Sequence, residues 1–87
     1  MGLYKVEWKR SAVKELKYLP RDAVAKILKA IEQLPENPYP SGVRKFVGSE
    51  QSYRIREGDY RIIYSIVSST LVIEIIRVGH RKDTYDR

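Results

Sequence analysis

The sequence predicts an α+β fold, with a helical hairpin packed on one face of a small, mainly antiparallel sheet in the order β-α-α-β-β-β. Three observations carry this prediction. Near the start, Tyr4, Val6 and Trp8 alternate with Lys5 and Glu7, the two-residue period of a half-buried strand. The apolar period then lengthens to that of a helix over two runs, broken at Leu19-Pro20. From Tyr53 onward the chain is dense in Val, Ile and Tyr, with breaks at Glu57-Gly58-Asp59 and Ser68-Ser69. A helix stripe and a sheet face each need an apolar partner, and here each is the other's partner.

The elements follow in chain order. The opening strand centres on Tyr4 to Trp8. In the first helix Val13, Leu16 and Leu19 recur at helical spacing, with Lys14, Glu15 and Lys17 outward and Ser11 as the expected N-cap. Pro20 stops that run, because proline cannot continue a helix interior but fits a first turn. The second helix runs from about Arg21, with Val24, Ile27, Leu28, Ile31 and Leu34 as its apolar stripe, and ends at Pro35. The segment PENPYPSG (residues 35–42) holds three of the chain's four prolines and reads as a stiff surface connector rather than a PxxP ligand. Lys45-Phe46 carries the chain back, with Phe46 expected to plug the core. Three strands close the domain, over Tyr53 to Arg56, Tyr60 to Val67 and Thr70 to Val78. Gly79 is expected to permit a sharp exit from the last of them.

Bulk composition narrows the function. The 87 residues form one domain, residues 1–87, with a modest core, since folding at this size buries only about 60–65% of the unfolded surface. With 43% hydrophobic and 32% charged residues, the chain reads as globular. The formal net charge of +6 points to a polyanionic partner. There is no cysteine, so disulfides, thiol nucleophiles and Cys–zinc sites are excluded. One histidine makes a metal site improbable, and no cofactor is expected. No apolar run approaches ~18 residues and the N-terminus carries no apolar signal segment, so the expectation is a cytoplasmic protein with no membrane partner.

The chemistry-bearing residues gather in the last third. In YRIREGDYRIIY (residues 53–64), strand alternation sends Tyr53, Ile55, Tyr60, Ile62 and Tyr64 to one face and Arg54, Arg56 and Arg61 to the other. The Tyr/Ile set gives the helices an apolar floor, which leaves the arginines on the uncovered face. A guanidinium suits phosphate because its planar fork donates two parallel hydrogen bonds. Arg44-Lys45 stands where it would extend the phosphate track. In RVGHRKDTY (residues 77–85), His80 is the chain's single imidazole, a group whose chemistry suits an acid or base, Arg81 and Lys82 add charge, and Tyr85 offers a ring for base stacking. The expectation is that Arg54, Arg56, Arg61, His80, Arg81 and Tyr85 converge on one side of the sheet. The bland alternatives are that exposed strand arginines only blunt aggregation and that His80 and Tyr85 pack on the domain.

At these residues the chain resembles toxins of the RelE/ParE superfamily of bacterial and archaeal toxin–antitoxin pairs. The resemblance spans nearly the whole chain and rests on the helical hairpin ending in LPENPYP, the pattern K-F-x-G (Lys45 to Gly48), YRIREGDYRIIY and RVGHRKDTY, in that order. It implies a RelE-like fold. For the RelE branch it implies a metal-free endoribonuclease that enters the ribosomal A site and cuts mRNA by attack of the 2′-OH on its own phosphate, leaving a 2′,3′-cyclic phosphate. By position, Arg54 and Arg56 match the family's basic pair, Arg61 its phosphate-stabilising arginine, Arg81 the arginine near the leaving group and Tyr85 the stacking aromatic. Lys45 and Lys82, with Arg54, are expected to bind RNA phosphate. Some members carry lysines where this chain has Arg54 and Arg56, and arginine cannot give up its proton. The general base therefore falls to His80, with Tyr85 second. The resemblance also implies a cognate antitoxin, and operator DNA bound only through it. Two alternatives stay open: a ParE-like inhibitor of DNA gyrase, and a degenerate member that only binds its antitoxin.

Overall fold

A computed structural model describes residues 3–45 and 51–80. The order is β1 (Lys5–Trp8), α1 (Arg10–Lys17), α2 (Arg21–Glu32), β2 (Arg44–Lys45), β3 (Ser52–Glu57), β4 (Tyr60–Val67) and β5 (Val72–His80). The strands make one five-stranded sheet in the order β1-β5-β4-β3-β2. β1 lies parallel to β5, and the other three pairings are antiparallel. The α+β prediction therefore holds, with two additions: a two-residue strand, β2, and the parallel docking of β1 beside β5.

The helices begin for local reasons. Lys9, not Ser11, is the N-cap of α1, and its carbonyl accepts the N–H groups of Ala12 and Val13 at 2.9 and 3.1 Å. Ser11 stands one residue inside the helix. Pro20 caps α2 with φ −60° and ψ 154°, and its carbonyl accepts the Val24 N–H at 3.0 Å. Proline's ring fixes φ at a value an N-cap tolerates, and its missing N–H is not needed there.

The core is the layer between the two helices and the sheet. Ala12 of α1, Ala23, Ile27 and Ile31 of α2 and Leu34 just past it are buried, and all but Ala23 pack with Ile55, Ile62, Tyr64, Ile66, Ile73, Ile75 and Val78. The expected stripe is thus rotated. Leu28 is exposed, Val24 is only half-buried, and the small Ala23 faces inward instead. Val6 and Trp8 are half-buried while Lys5 and Glu7 are exposed, as the alternation predicts. Phe46, the expected core plug, lies outside the described residues. Among these residues no helix is long and apolar enough to cross a membrane.

Three carbonyls of the proline-rich connector accept hydrogen bonds, one of them from a sheet residue. Pro35 accepts from Leu3 and Tyr4 N–H at 3.1 and 3.2 Å, Pro40 accepts from Val43 N–H at 3.1 Å, and Pro38 accepts from the Tyr64 hydroxyl at 2.6 Å. Gly42, at φ +88°, then turns the chain into β2. This fixes the connector beside β3, where it bounds the site.

β5 carries a feature the sequence pattern hides. Its register against β4 slips between Ile63 and Tyr64: Tyr64 pairs with Ile75, Ile63 with Arg77, and Ile76 is the extra residue. The slip inverts the alternation beyond it, so Val78, not Arg77, follows Ile73 and Ile75 into the core. β5 also runs on to His80, so Gly79 sits within the strand, buried opposite Arg61. The expected sharp exit at Gly79 is replaced by two more paired residues.

Candidate functional site

The β3–β4 hairpin holds the site in register. Glu57 pairs with Tyr60 around a two-residue turn, Gly58-Asp59, with Gly58 at φ +61°. A positive φ at the first central residue is what a type II′ hairpin turn requires, and glycine takes it without a Cβ clash. That turn fixes Ile55 against Ile62 and Arg56 against Arg61. Ile55 and Ile62 are in the core under α2, so Arg56, Arg61 and Arg54 stand on the opposite face.

β2 adds one more cation. Arg44 pairs with Arg54, while Lys45 pairs with Tyr53, whose ring packs against the core. Arg44 thus joins the arginine face and Lys45 does not, a correction to the expectation for Lys45. The signal lay in the alternation of a strand too short to recognise.

Arg44, Arg54, Arg56 and Arg61, with Ser41 and Gly42, line a cavity of about 250 Å³. Among the described residues no acidic side chain lines it. Arg44 and Arg56 are exposed, Arg54 is half-buried and Arg61 is 4% exposed. The face is less open than expected, because Ile63, on the same side, is 2% exposed. Cations at graded depth suit one anion: Arg61 is held rigidly at the base, and the outer arginines close over it.

His80 departs from the predicted convergence. It pairs with Tyr60 across β4 and β5, and the two rings meet edge to face at 5.7 Å. Tyr60 alternates with Arg61, so His80 is on the helix side of the sheet and Gly79 is the residue opposite Arg61. The cause is the extra residue Ile76: unbroken alternation from Ile73 would have sent His80 to the arginine face. Arg81, Lys82 and Tyr85 lie outside the described residues.

A tyrosine cluster flanks the site on the helix side. Tyr39 and Tyr53 meet at 5.2 Å edge to face, and Tyr53 and Tyr64 at 6.1 Å. Burial first, then its tyrosine neighbours, pushes the Tyr64 hydroxyl far above its ordinary pKa. Tyr39 is raised mainly by its hydrogen bond with Tyr53.

With this geometry in hand, the likenesses to known proteins are consistent. Residues 6–85 match the family of ParE toxins of type II toxin–antitoxin systems, parDE. The chain belongs to the RelE/ParE toxin family. Toxin RelE3 of Methanocaldococcus jannaschii is 34% identical over 86 residues, covering 94% of this chain and 96% of the relative. The RelE of the archaeal RelE–RelB complex from Pyrococcus horikoshii OT3 superposes with a TM-score of 0.79 at 33% identity, over 91% of this chain and 96% of that one. The RelBE2 toxin–antitoxin complex of Mycobacterium tuberculosis gives 0.78 at 26% identity, over 90% and 98%. This RelE-family toxin thus carries the fold its sequence resembled, with the arginine cavity described above.

Proposed function

We propose that this toxin is a ribosome-dependent, metal-free mRNA endonuclease acting in the A site, and so in the cytoplasm. The observation that carries this function is the cavity of about 250 Å³ lined by Arg44, Arg54, Arg56 and Arg61, with no carboxylate among the described residues that line it. Such a cavity suits a phosphodiester whose charge grows during reaction. In the step, the 2′-oxygen forms a bond to phosphorus while the bond from phosphorus to the 5′-oxygen breaks. The 2′-OH proton leaves to water and the 5′-oxygen takes up a proton, giving a 2′,3′-cyclic phosphate and a free 5′-OH. Arg61 and Arg56 stabilise the crowded phosphate, Arg54 and Arg44 hold the strand, Arg81 serves the leaving oxygen, and Tyr85 stacks on a base. Arginine cannot accept the 2′-OH proton, and His80 is across the sheet. Catalysis then rests on orientation and charge stabilisation, and is slower than with a dedicated base.

The RelB chains in the complexes of its relatives support a cognate antitoxin here. An acidic or amphipathic segment would cover the cationic face and silence it, with charge speeding capture. Operator DNA would be bound through that antitoxin.

Mapping mRNA ends after brief expression tests the activity. The native chain should give codon-phased cuts. Arg61→Ala with Arg81→Ala should lose them by about 10²–10³-fold, and the more exposed pair Arg54→Ala with Arg56→Ala should lose a large part of them while keeping the fold. Intact mRNA with arrested supercoiling would overturn the proposal in favour of gyrase inhibition, the activity class that the ParE likeness keeps in view.

A further inference from the structure

A second, larger cavity of about 480 Å³ is lined in part by Lys26 and Lys29 on α2, by Gln33 at its C-cap, by Ser41, and by Arg56 and Glu57 on β3. Ile27, wholly buried between the two lysines in sequence, fixes the rotation of α2, so Lys26 and Lys29 share the outward side at helical spacing. Among the described lining residues, three are cationic and one is acidic. Like charges so close repel one another, a cost an anion removes.

Arg56 and Ser41 line both cavities, which therefore share lining where β3 runs past its pairing with β2. An RNA strand seated on the arginines continues past its scissile phosphate. Its next phosphates fall against the surface adjoining Arg56, and that surface is this groove. The lining also changes character along the way. The arginine cavity offers planar forks that fix one phosphate's geometry, whereas Lys26 and Lys29 are point charges on flexible stems that tolerate any backbone conformation.

We propose that the α2–β3 groove is a second phosphate subsite, in which Lys26, Lys29 and Arg56 bind the sugar–phosphate backbone of RNA beside the cleavage site. The inference rests on the RNA-cutting function proposed above. The messenger strand and ribosomal RNA both offer phosphodiesters, and the experiment separates them.

The test is equilibrium binding of the full chain to ribosomes across a salt series. One set of ribosomes carries an mRNA with a 2′-deoxy sugar at the cut position, which cannot react. The other carries an mRNA that ends before the A-site codon. Three proteins are compared: native, Lys26→Ala with Lys29→Ala, and Lys14→Ala with Lys17→Ala, which removes the same charge from exposed positions on α1. The groove variant should bind about tenfold more weakly at ~0.1 M salt, with a log–log salt slope smaller by about 1.4. The α1 variant should stay within about twofold. Loss confined to the intact mRNA assigns the messenger strand, and equal loss in both sets assigns ribosomal RNA; either supports the subsite. An unchanged slope in the groove variant, or an equal loss in the α1 variant, overturns it. So does a groove variant that keeps its ribosome affinity and loses only antitoxin affinity, which would make the groove a protein-docking site. If the native chain fails to bind ribosomes, the RNA-cutting function itself falls; if it binds and the groove variant matches it, only the subsite falls.

Discussion

Arg61 is the residue on which the site turns. At 4% exposure it is the most buried of the clustered arginines, and its place is set by its pairing with Arg56 on one side and Gly79 on the other. His80 is the contrasting case. Its identity suits proton transfer, but its position gives it Tyr60 as a neighbour on the helix side. His80→Ala should therefore lower single-turnover cleavage by less than about fivefold, against the 10²–10⁴-fold typical of a lost general base. The pH–rate profiles of the native chain and the variant should then have the same shape. A loss of about a hundredfold, with a native profile that the variant does not share, would restore His80 to the chemistry.

At the scale of elements, β5 needs a partner where β1 ends. β1 covers β5 only from Val72 to Ile75, and Lys9 donates to the Ile75 carbonyl at 2.9 Å as the chain turns into α1. Glu15 of α1 then takes over. One carboxylate oxygen accepts the Val78 N–H at 3.1 Å and the other accepts Arg77 Nε at 3.3 Å. A side chain thus replaces a strand along the part of β5 that holds Gly79 opposite Arg61. The ion pair is about a third exposed and contributes little by itself, so the backbone bond matters more. Glu15→Ala should cost about 1–2 kcal/mol in urea unfolding, while Glu15→Gln, which keeps an acceptor for Val78, should cost less. Amide exchange at Val78 should quicken in the alanine variant, and equal protection in both would show that Glu15 does not hold the strand end.

At the scale of the whole molecule, two facts set behaviour in solution. The net charge of +6 draws the chain toward polyanions at long range and makes its binding salt-sensitive. The Tyr64 hydroxyl links the proline-rich connector to the centre of the sheet through Pro38. Burial raises the Tyr64 pKa above its unfolded value of about 10, so the folded state favours the protonated hydroxyl. The resulting stability is fully present below about pH 10 and is lost as pH rises from there toward the folded value. Tyr64→Phe should remove part of that alkaline loss. At neutral pH it should cost about 1–2 kcal/mol, because the Pro38 carbonyl loses its donor. Chemical denaturation at pH 7 and above pH 10 measures both effects, and identical alkaline slopes in the two proteins would rule Tyr64 out as the cause.

Much of this molecule was legible in the chain. The hairpin from Tyr53 to Tyr64 alternates arginine with Tyr and Ile around a glycine turn, so an arginine face was expected, while the two-residue turn at Gly58-Asp59 sets the register that pairs Arg56 with Arg61. The same holds for the break at Pro20, where the pyrrolidine ring permits a helix start and little else. Other features depended on packing. Ile73, Ile75, Ile76 and Val78 are all apolar, so no pattern reveals which one is the extra residue; the fit of β5 against β4 and the helices selects Ile76. Ala23 and Leu28 could each have faced inward, and the packing of α2 buries the smaller side chain. The sequence by itself determined the kinds of element, their order, and a cationic face suited to phosphate. Only the tertiary structure decided that Arg44 joins that face while Lys45 and His80 do not, because one unpaired residue inverts a strand's alternation and a two-residue strand has no period to read.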